Sequence, residues 1–355
     1  MTAFATVPEQ QEAKRLLTAA LTDGPAHAYL FHGPAGVGKR PAAFAFAAEL
    51  LGDERRVLER THPDLYVVEA LGEFIRIDDV RALHHDLHMR PFEGDRRVYL
   101  VLDAHRLNDD AADALLKDLE EPPPYATIVL VADELGPLPE TIHSRCQLVP
   151  FGRLSEAAVA GWLAEQAPAL SEETMLALAR VAGGRLDRAA RLVDAEAGER
   201  REVLIAAARA AYLDPEFDPA DAAESILAGA AQRGAAARER EEQALEQRDL
   251  PAREAEQRVR RVQRGAERDE FLGALEELAA WYRDLVVVAA GAEGAALHAD
   301  RLEELRADAA RGLGEGPERA AALCRQAWRA AEEFNVNASL ALEALFVRVR
   351  RELAG

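Results

Sequence analysis

The sequence predicts an α/β domain built on a parallel sheet, followed by an all-helical region. Through residue 150, short apolar runs alternate with amphipathic stretches, the pattern of strands joined by helical crossovers. One of those runs, Ala28–His32, feeds a glycine-rich loop that opens directly into a helix-forming segment. Beyond residue 150 strand-like runs cease and helical periodicity takes over.

The elements follow in order. Gln10 to Leu21 reads as an amphipathic helix, Ala28–His32 as a strand, and Ala42 to Leu51 as a helix. The turn residues His62, Pro63 and Asp64 introduce a second strand, Leu65–Val68. A helix is predicted from Ile77 to about Met89, its N-terminus favoured by the negative charge of Asp78 and Asp79. Val98–Leu102 is wholly apolar and reads as a strand buried on both faces. Asn108 caps the next helix, which must stop at Pro122, Pro123 and Pro124. Ile128–Val131 is a further buried strand and Gln147–Pro150 the fifth.

Ser155 to Gln166, Ser171 to Val181 and Leu186 to Asp194 are read as a three-helix unit, with Ser155 and Ser171 as N-caps and Gly183–Gly184 as a break. From about residue 197 the chain is helical. Arg233 to Arg268 alternates in charge sign, which favours a long solvated helix pair with Pro251 at a kink or turn. Ala338 to Leu353 carries a broad apolar stripe of Leu340, Leu342, Leu345, Phe346 and Val349 that must be buried in its own domain or against a partner. The expected division is therefore 1–150, 151–196 and 197–355, with 233–268 a charged helical insertion.

Composition narrows the function classes. The 355 residues carry a formal charge of −20, so contact with nucleic acid has to be local or shared with other subunits. No uninterrupted apolar run approaches the length of a membrane span, and Glu9 to Glu12 interrupt any leader-like pattern, so a cytoplasmic location is expected. Two cysteines, Cys146 and Cys324, support neither a disulfide framework nor a thiolate metal site.

The glycine-rich segment Gly33 to Lys39 has the strand–loop–helix context of a phosphate-binding loop. Gly33, Gly36 and Gly38 allow backbone N–H groups to turn inward, the helix N-terminus adds partial positive charge, and Lys39 has the reach for terminal phosphates. Position 40, where Ser or Thr would hold magnesium, is Arg40, and Pro41 supplies no N–H. Asp103, ending an apolar strand, retains a carboxylate that could orient a metal. The next residue, where a glutamate would position the attacking water, is Ala104. Losing both groups removes two contributions to phosphoryl transfer, so ATP or ADP held without hydrolysis is the expected cofactor state.

His27 to Gly33, Thr61 to Asp64, Ala114 to Pro123 (A-L-L-K-D-L-E-E-P-P), Ser144-Arg145-Cys146 and Asn335 to Ser339 together resemble the bacterial clamp-loader AAA+ family. The resemblance implies a RecA-like core, a small helical lid and a helical collar that joins a pentameric ring. It implies a stator subunit with no ATPase activity of its own, inside a DNA polymerase complex that loads a sliding clamp onto primed DNA. Its partners would be motor subunits of the gamma/tau kind and a delta subunit. Arg145, in S-R-C, would act in trans as an arginine finger on ATP held by a neighbouring motor. Active motor and nucleotide-binding adaptor outside replication are the rival readings. The cysteine module often found before T-H-P-D is missing, so no zinc is expected. The lid arginine that senses nucleotide would fall near Asp187, with Arg185 and Arg188 to either side; one residue along a helix is about 100° of rotation, so neither is a safe substitute.

Smaller features have plainer readings. His84 and His88 lie one helical turn apart beside His85, but no third metal ligand is evident in sequence, so a solvated or locally paired face is expected. Lys117 either pairs with Glu120 or Glu121 or touches template DNA. Trp162, Trp281 and Trp328 read as helix-packing residues, and Cys146 as a small buried residue rather than a nucleophile.

Overall fold

The computed structural model describes residues 4, 6–70, 74–133, 138–193, 195–245, 252–334 and 336–353. Two compact units are present: Met1–Trp162 with Gly184–Asp187, and Leu163–Gly183 with Arg188–Gly355.

In the first unit, β1 (Ala28–His32), β2 (Leu65–Val68), β3 (Arg97–Val101), β4 (Ala126–Ala132) and β5 (Gln147–Pro150) form one sheet in the order β2-β3-β4-β1-β5. Every pairing is parallel, so the sheet is the one the sequence predicts. Side chains alternate between its faces and build a core on each. Tyr29, Phe31, Val98, Leu100, Val129 and Val131 face α1 (Gln11–Asp23) and α2 (Lys39–Leu51). Leu30, Tyr99, Val101, Ile128 and Leu130 face α4 (Ile77–Leu87) and α5 (Asp109–Glu120), while α3 (Glu54–Leu58) adds Val57 to the first core. The predicted caps form: Asn108 Oδ1 accepts from the N–H of Ala111 at 3.1 Å and Ser155 Oγ from that of Ala158 at 3.1 Å.

Some boundaries shift for local reasons. Helix α2 starts at Lys39 rather than Ala42, because Pro41 falls in the first turn, where its missing N–H costs nothing. Strand β4 is longer than its central Ile128–Val131 because neighbours on both sides extend its ladder. Asp64 does more than mark a turn. Its buried carboxylate accepts from the backbone N–H groups of Phe92 (2.6 Å), Glu93 (3.0 Å) and Gly94 (3.2 Å), fixing the loop before β3.

In the second unit, α8 (Glu172–Ala182) is capped by Ser171 and ends at Gly183 in the left-handed conformation, where glycine is at home. The Arg/Glu-rich stretch falls on α11 (Pro219–Leu245) and α12 (Ala252–Ala289), which pack as a helix pair. The expected turn at Pro251 lies outside the described residues, as does Asn335. Trp281, Tyr282, Leu275 and Leu278 of α12 meet Leu342, Leu345, Phe346 and Val349 of α15 (Ala338–Leu353) in one apolar core. Leu340 departs from the predicted stripe and is 63% exposed. At about 100° per residue it lies about 200° from Leu342, on the opposite face. Trp281 is buried and donates to the Tyr212 hydroxyl at 3.1 Å, and Trp328 packs against the same core. Trp162, half-buried, belongs to none of the three core clusters.

This unit also encloses a charged cluster that the sequence reading did not anticipate. His298, fully buried, lies 2.8 Å from Asp284 Oδ2 and 3.0 Å from Glu277 Oε1. Arg201 Nε donates to Glu277 at 3.1 Å, and Arg188 pairs with the same carboxylate. Among the described residues, no helix is long and apolar enough to cross a membrane.

Candidate nucleotide loop and arginine site

Strand β1 delivers the chain into a loop whose glycines carry φ values of +140° (Gly33), +67° (Gly36) and +99° (Gly38). Two of these positions exclude any side chain for lack of space as well. A Cβ on Gly33 would stand 2.0 Å from the Phe151 carbonyl oxygen, and one on Gly36 would stand 1.7 Å from Asp187 Oδ1. The loop is clipped from outside by Gln10, a residue read from sequence as the start of the first helix and as part of a polar run. Its amide donates to the carbonyls of Val37 (3.1 Å) and Gly152 (2.7 Å) and accepts from the Gly152 N–H at 3.0 Å.

Each group that would meet a triphosphate or its magnesium is engaged by the chain itself. Lys39, 4% exposed, donates to the Gly33 carbonyl at 2.8 Å and the Pro34 carbonyl, and lies 2.9 Å from Asp133 Oδ1. Burial pushes its ammonium below the ordinary lysine range, and Asp133 only partly opposes that. Burial acts to raise Asp133 in turn, but Lys39 and His105 overcome it and hold the carboxyl below its usual value. Arg40 pairs with Asp103, so the residue standing where the magnesium hydroxyl belongs neutralises the carboxylate expected to orient the metal. Asp103 itself adopts φ +57°, the left-handed region that Asp tolerates better than most residues. Ala104 follows, fully buried at the start of a 3-10 turn.

Asp187 completes the closure. The Leu186 N–H donates to the Gly36 carbonyl at 2.7 Å, which brings the Asp187 carboxylate against the glycine. Arg185 Nη2 reaches Asp187 Oδ2 at 2.8 Å. Of the two arginines flanking the expected sensor position, Arg185 thus stands beside the loop and Arg188 joins Glu277. Asp133 and Asp187 lie roughly a hundred and a hundred and fifty residues from the loop, and no local motif links them to it.

Arg145 follows a short helix, α6 (Glu140–His143). Its guanidinium donates to the Thr141 carbonyl at 2.9 Å, Ser144 Oγ at 3.2 Å and Glu120 Oε1 at 2.5 Å, with a third of the side chain exposed. Glu120 is engaged by Arg145, and the expected pairing of Lys117 with Glu120 or Glu121 does not form among the described residues. Lys117 is exposed and makes no ion pair among the described residues. Cys146, half-buried, has its thiol pushed up to about 12 by burial, which removes it as a nucleophile at neutral pH. His84 Nδ1 lies 2.6 Å from Oδ1 of the buried Asp118, a partner the sequence reading missed because it lies on the next helix.

Residues 9–155 match the family described as "DNA polymerase III, delta subunit". The chain is 36% identical over 174 residues to the DNA polymerase III subunit delta′ of Pseudomonas aeruginosa, covering 45% of this chain and 53% of the relative. It is 34% identical over 152 residues to the delta′ subunit of Bacillus subtilis, covering 39% of this chain and 46% of the relative. The tau subunit of Bacillus subtilis is 32% identical over 168 residues, covering 44% of this chain and 30% of that one. The aligned region thus spans about half the length of the delta′ relatives. Among solved structures, a DNA polymerase III gamma subunit-related protein from Thermotoga maritima aligns over 96% of this chain and 99% of its own, at 17% identity and a TM-score of 0.47. Over the region that holds the glycine loop, the parallel sheet and Arg145, the chain is similar to DNA polymerase III delta′ subunits.

Proposed function

We propose that this chain is a catalytically silent delta′ stator that donates Arg145 to ATP bound by a neighbouring motor subunit. The observation that carries the reading is a contrast within one unit. Lys39 is buried in a pair with Asp133, Arg40 neutralises Asp103, and Ala104 offers no carboxylate, whereas Arg145 keeps a third of its side chain exposed while bonded to Thr141, Ser144 and Glu120. Loading of a sliding clamp onto primed DNA would follow from assembly with gamma/tau motors and a delta subunit in a hetero-pentamer. Exposed Leu340 and Val347 on α15 are candidate collar contacts, and Lys117 is the candidate contact to the DNA backbone. ATP or ADP would enter the loop only by displacing the Asp133 and Asp187 carboxylates.

An arginine finger contributes about 10³–10⁵-fold to turnover in related phosphoryl-transfer enzymes. In the reconstituted complex, Arg145→Ala should lower DNA-stimulated ATPase by at least about a hundredfold at the site it serves, with assembly intact by gel filtration. Full turnover by that variant would sink the finger role. The similarity to tau subunits keeps the motor reading as the rival. Magnesium-dependent hydrolysis by the isolated chain, abolished in Lys39→Ala, would favour the motor instead.

A further inference from the structure

We propose that His84, His88 and Asp118 form a site for a divalent cation of the zinc class, joining α4 to α5. The three residues bring ligand atoms within 4.8 Å of one another. His84 and the helix-capping His88 are one turn apart on α4, so both imidazoles project from the same side, with ring centroids 4.8 Å apart. Asp118 comes from α5, which packs alongside, and turns inward with a side chain 2% exposed. Two nitrogens and a carboxylate oxygen suit zinc and its first-row neighbours rather than magnesium or calcium, which favour all-oxygen sites.

A simple histidine–aspartate hydrogen bond accounts for only part of this geometry. Asp118 Oδ1 is satisfied by His84 Nδ1 at 2.6 Å, but the buried Oδ2 has no hydrogen-bond partner. A buried carboxylate oxygen left unbonded is costly, and a cation is the partner it lacks. Two ligands on one tetrahedral zinc stand about 3.3 Å apart, given zinc–ligand distances of about 2.0–2.1 Å. The His84 ring, 40% exposed, therefore has to swing about 0.7 Å away from Asp118 to admit the ion in place of the shared proton. His88 is exposed, so the remaining coordination position opens to water or to a side chain from another molecule. The ion would fasten α5 to its neighbour, and α5 is the helix whose Glu120 holds Arg145.

The test is a calorimetric titration of the full chain, stripped with chelator, with zinc chloride alone, paired with cobalt(II) absorption spectroscopy. One saturable site per chain is expected, with a cobalt d–d band. His88→Ala removes an exposed ring outside the core and should weaken binding at least about tenfold while leaving the circular dichroism spectrum unchanged. Asp118→Asn should do likewise, and if that variant fails to fold, His88→Ala decides. No saturable binding up to millimolar zinc, or unchanged affinity in His88→Ala, overturns the proposal.

Discussion

The loop at the end of β1 and the cluster around His298 use the same chemistry to opposite ends. Both bring arginine or lysine, histidine and carboxylates within hydrogen-bonding distance, and both contain groups driven from their ordinary pKa values. They differ in what the backbone does beside them. At the loop, glycines with positive φ leave a concave turn that would accept phosphate, and the Asp133 and Arg40 side chains are 37% and 48% exposed. Around His298 the described residues leave no such opening: His298 and Asp284 are fully buried, and Trp281 packs edge-on against the imidazole. A perturbed titratable group marks a functional site only where the backbone leaves room for a ligand; elsewhere it marks a piece of structure.

The comparison breaks most readily at Asp284. Removing one partner of a buried charged pair typically costs about 3–5 kcal/mol, because the other charge is left without compensation. Asp284→Ala should therefore destabilise the chain by about that amount in urea denaturation, through the orphaned His298 imidazolium and N–H. A loss below about 1 kcal/mol would mean that the cluster is not structural, and the contrast with the loop would fail.

Residue spacing explains why one region was legible in sequence and the other was not. The glycine loop, Asp103–Ala104 and Ser144–Cys146 are short contiguous motifs, and the strands are apolar runs that can bury only one way in a parallel sheet. Caps at Asn108, Ser155 and Ser171 were legible for the same local reason. The partners of His298 lie 14 and 21 residues away, and Arg201 reaches Glu277 across 76, distances at which no periodicity carries information. Asp133 and Asp187 were invisible as loop partners because the sheet order and the Gly184–Asp187 excursion bring them there. Leu340 misled because apolar content was counted without its angle around the helix.

A smaller effect tests whether the loop is closed by charge. Asp187→Ala removes the carboxylate against Gly36, a group that repels phosphate. Affinity for a fluorescent ADP analogue should rise about tenfold, equivalent to about 1.4 kcal/mol. Unchanged affinity would place the barrier at the Lys39–Asp133 pair, and Asp133→Asn would then carry the gain.

The pH response should separate the regions further. Burial opposes the His298 cation, but the hydrogen bonds it donates to Asp284 and Glu277 overcome that and raise its pKa. A raised histidine contributes stability that is fully present below its unfolded value of about 6.5 and lost as pH climbs through the folded one. Burial acts to raise Glu277 and Asp284, but Arg188 and His298 outweigh it and leave both lowered. Their contribution is present above about pH 4.5 and lost as pH falls through their folded values. The urea midpoint should therefore hold between about pH 4.5 and 6.5 and decline on the alkaline side, with that decline missing in His298→Gln.

The smallest effect is expected at Arg40. Arg40→Ser restores the hydroxyl that magnesium requires and frees Asp103, yet it leaves Ala104 without a water-positioning carboxylate and Lys39 bound to Asp133. The Arg40–Asp103 pair is half-exposed on the arginine side, so its loss should cost within about 1 kcal/mol. Magnesium should now strengthen nucleotide binding in calorimetry, whereas phosphate release by the isolated chain should stay at background. Measurable turnover in this variant would mean that Arg40 alone silences the site, and that the pairing of Lys39 with Asp133 yields readily to a triphosphate. Background turnover with magnesium-dependent binding would divide the closure into a part that excludes the ion and a part that withholds the chemistry.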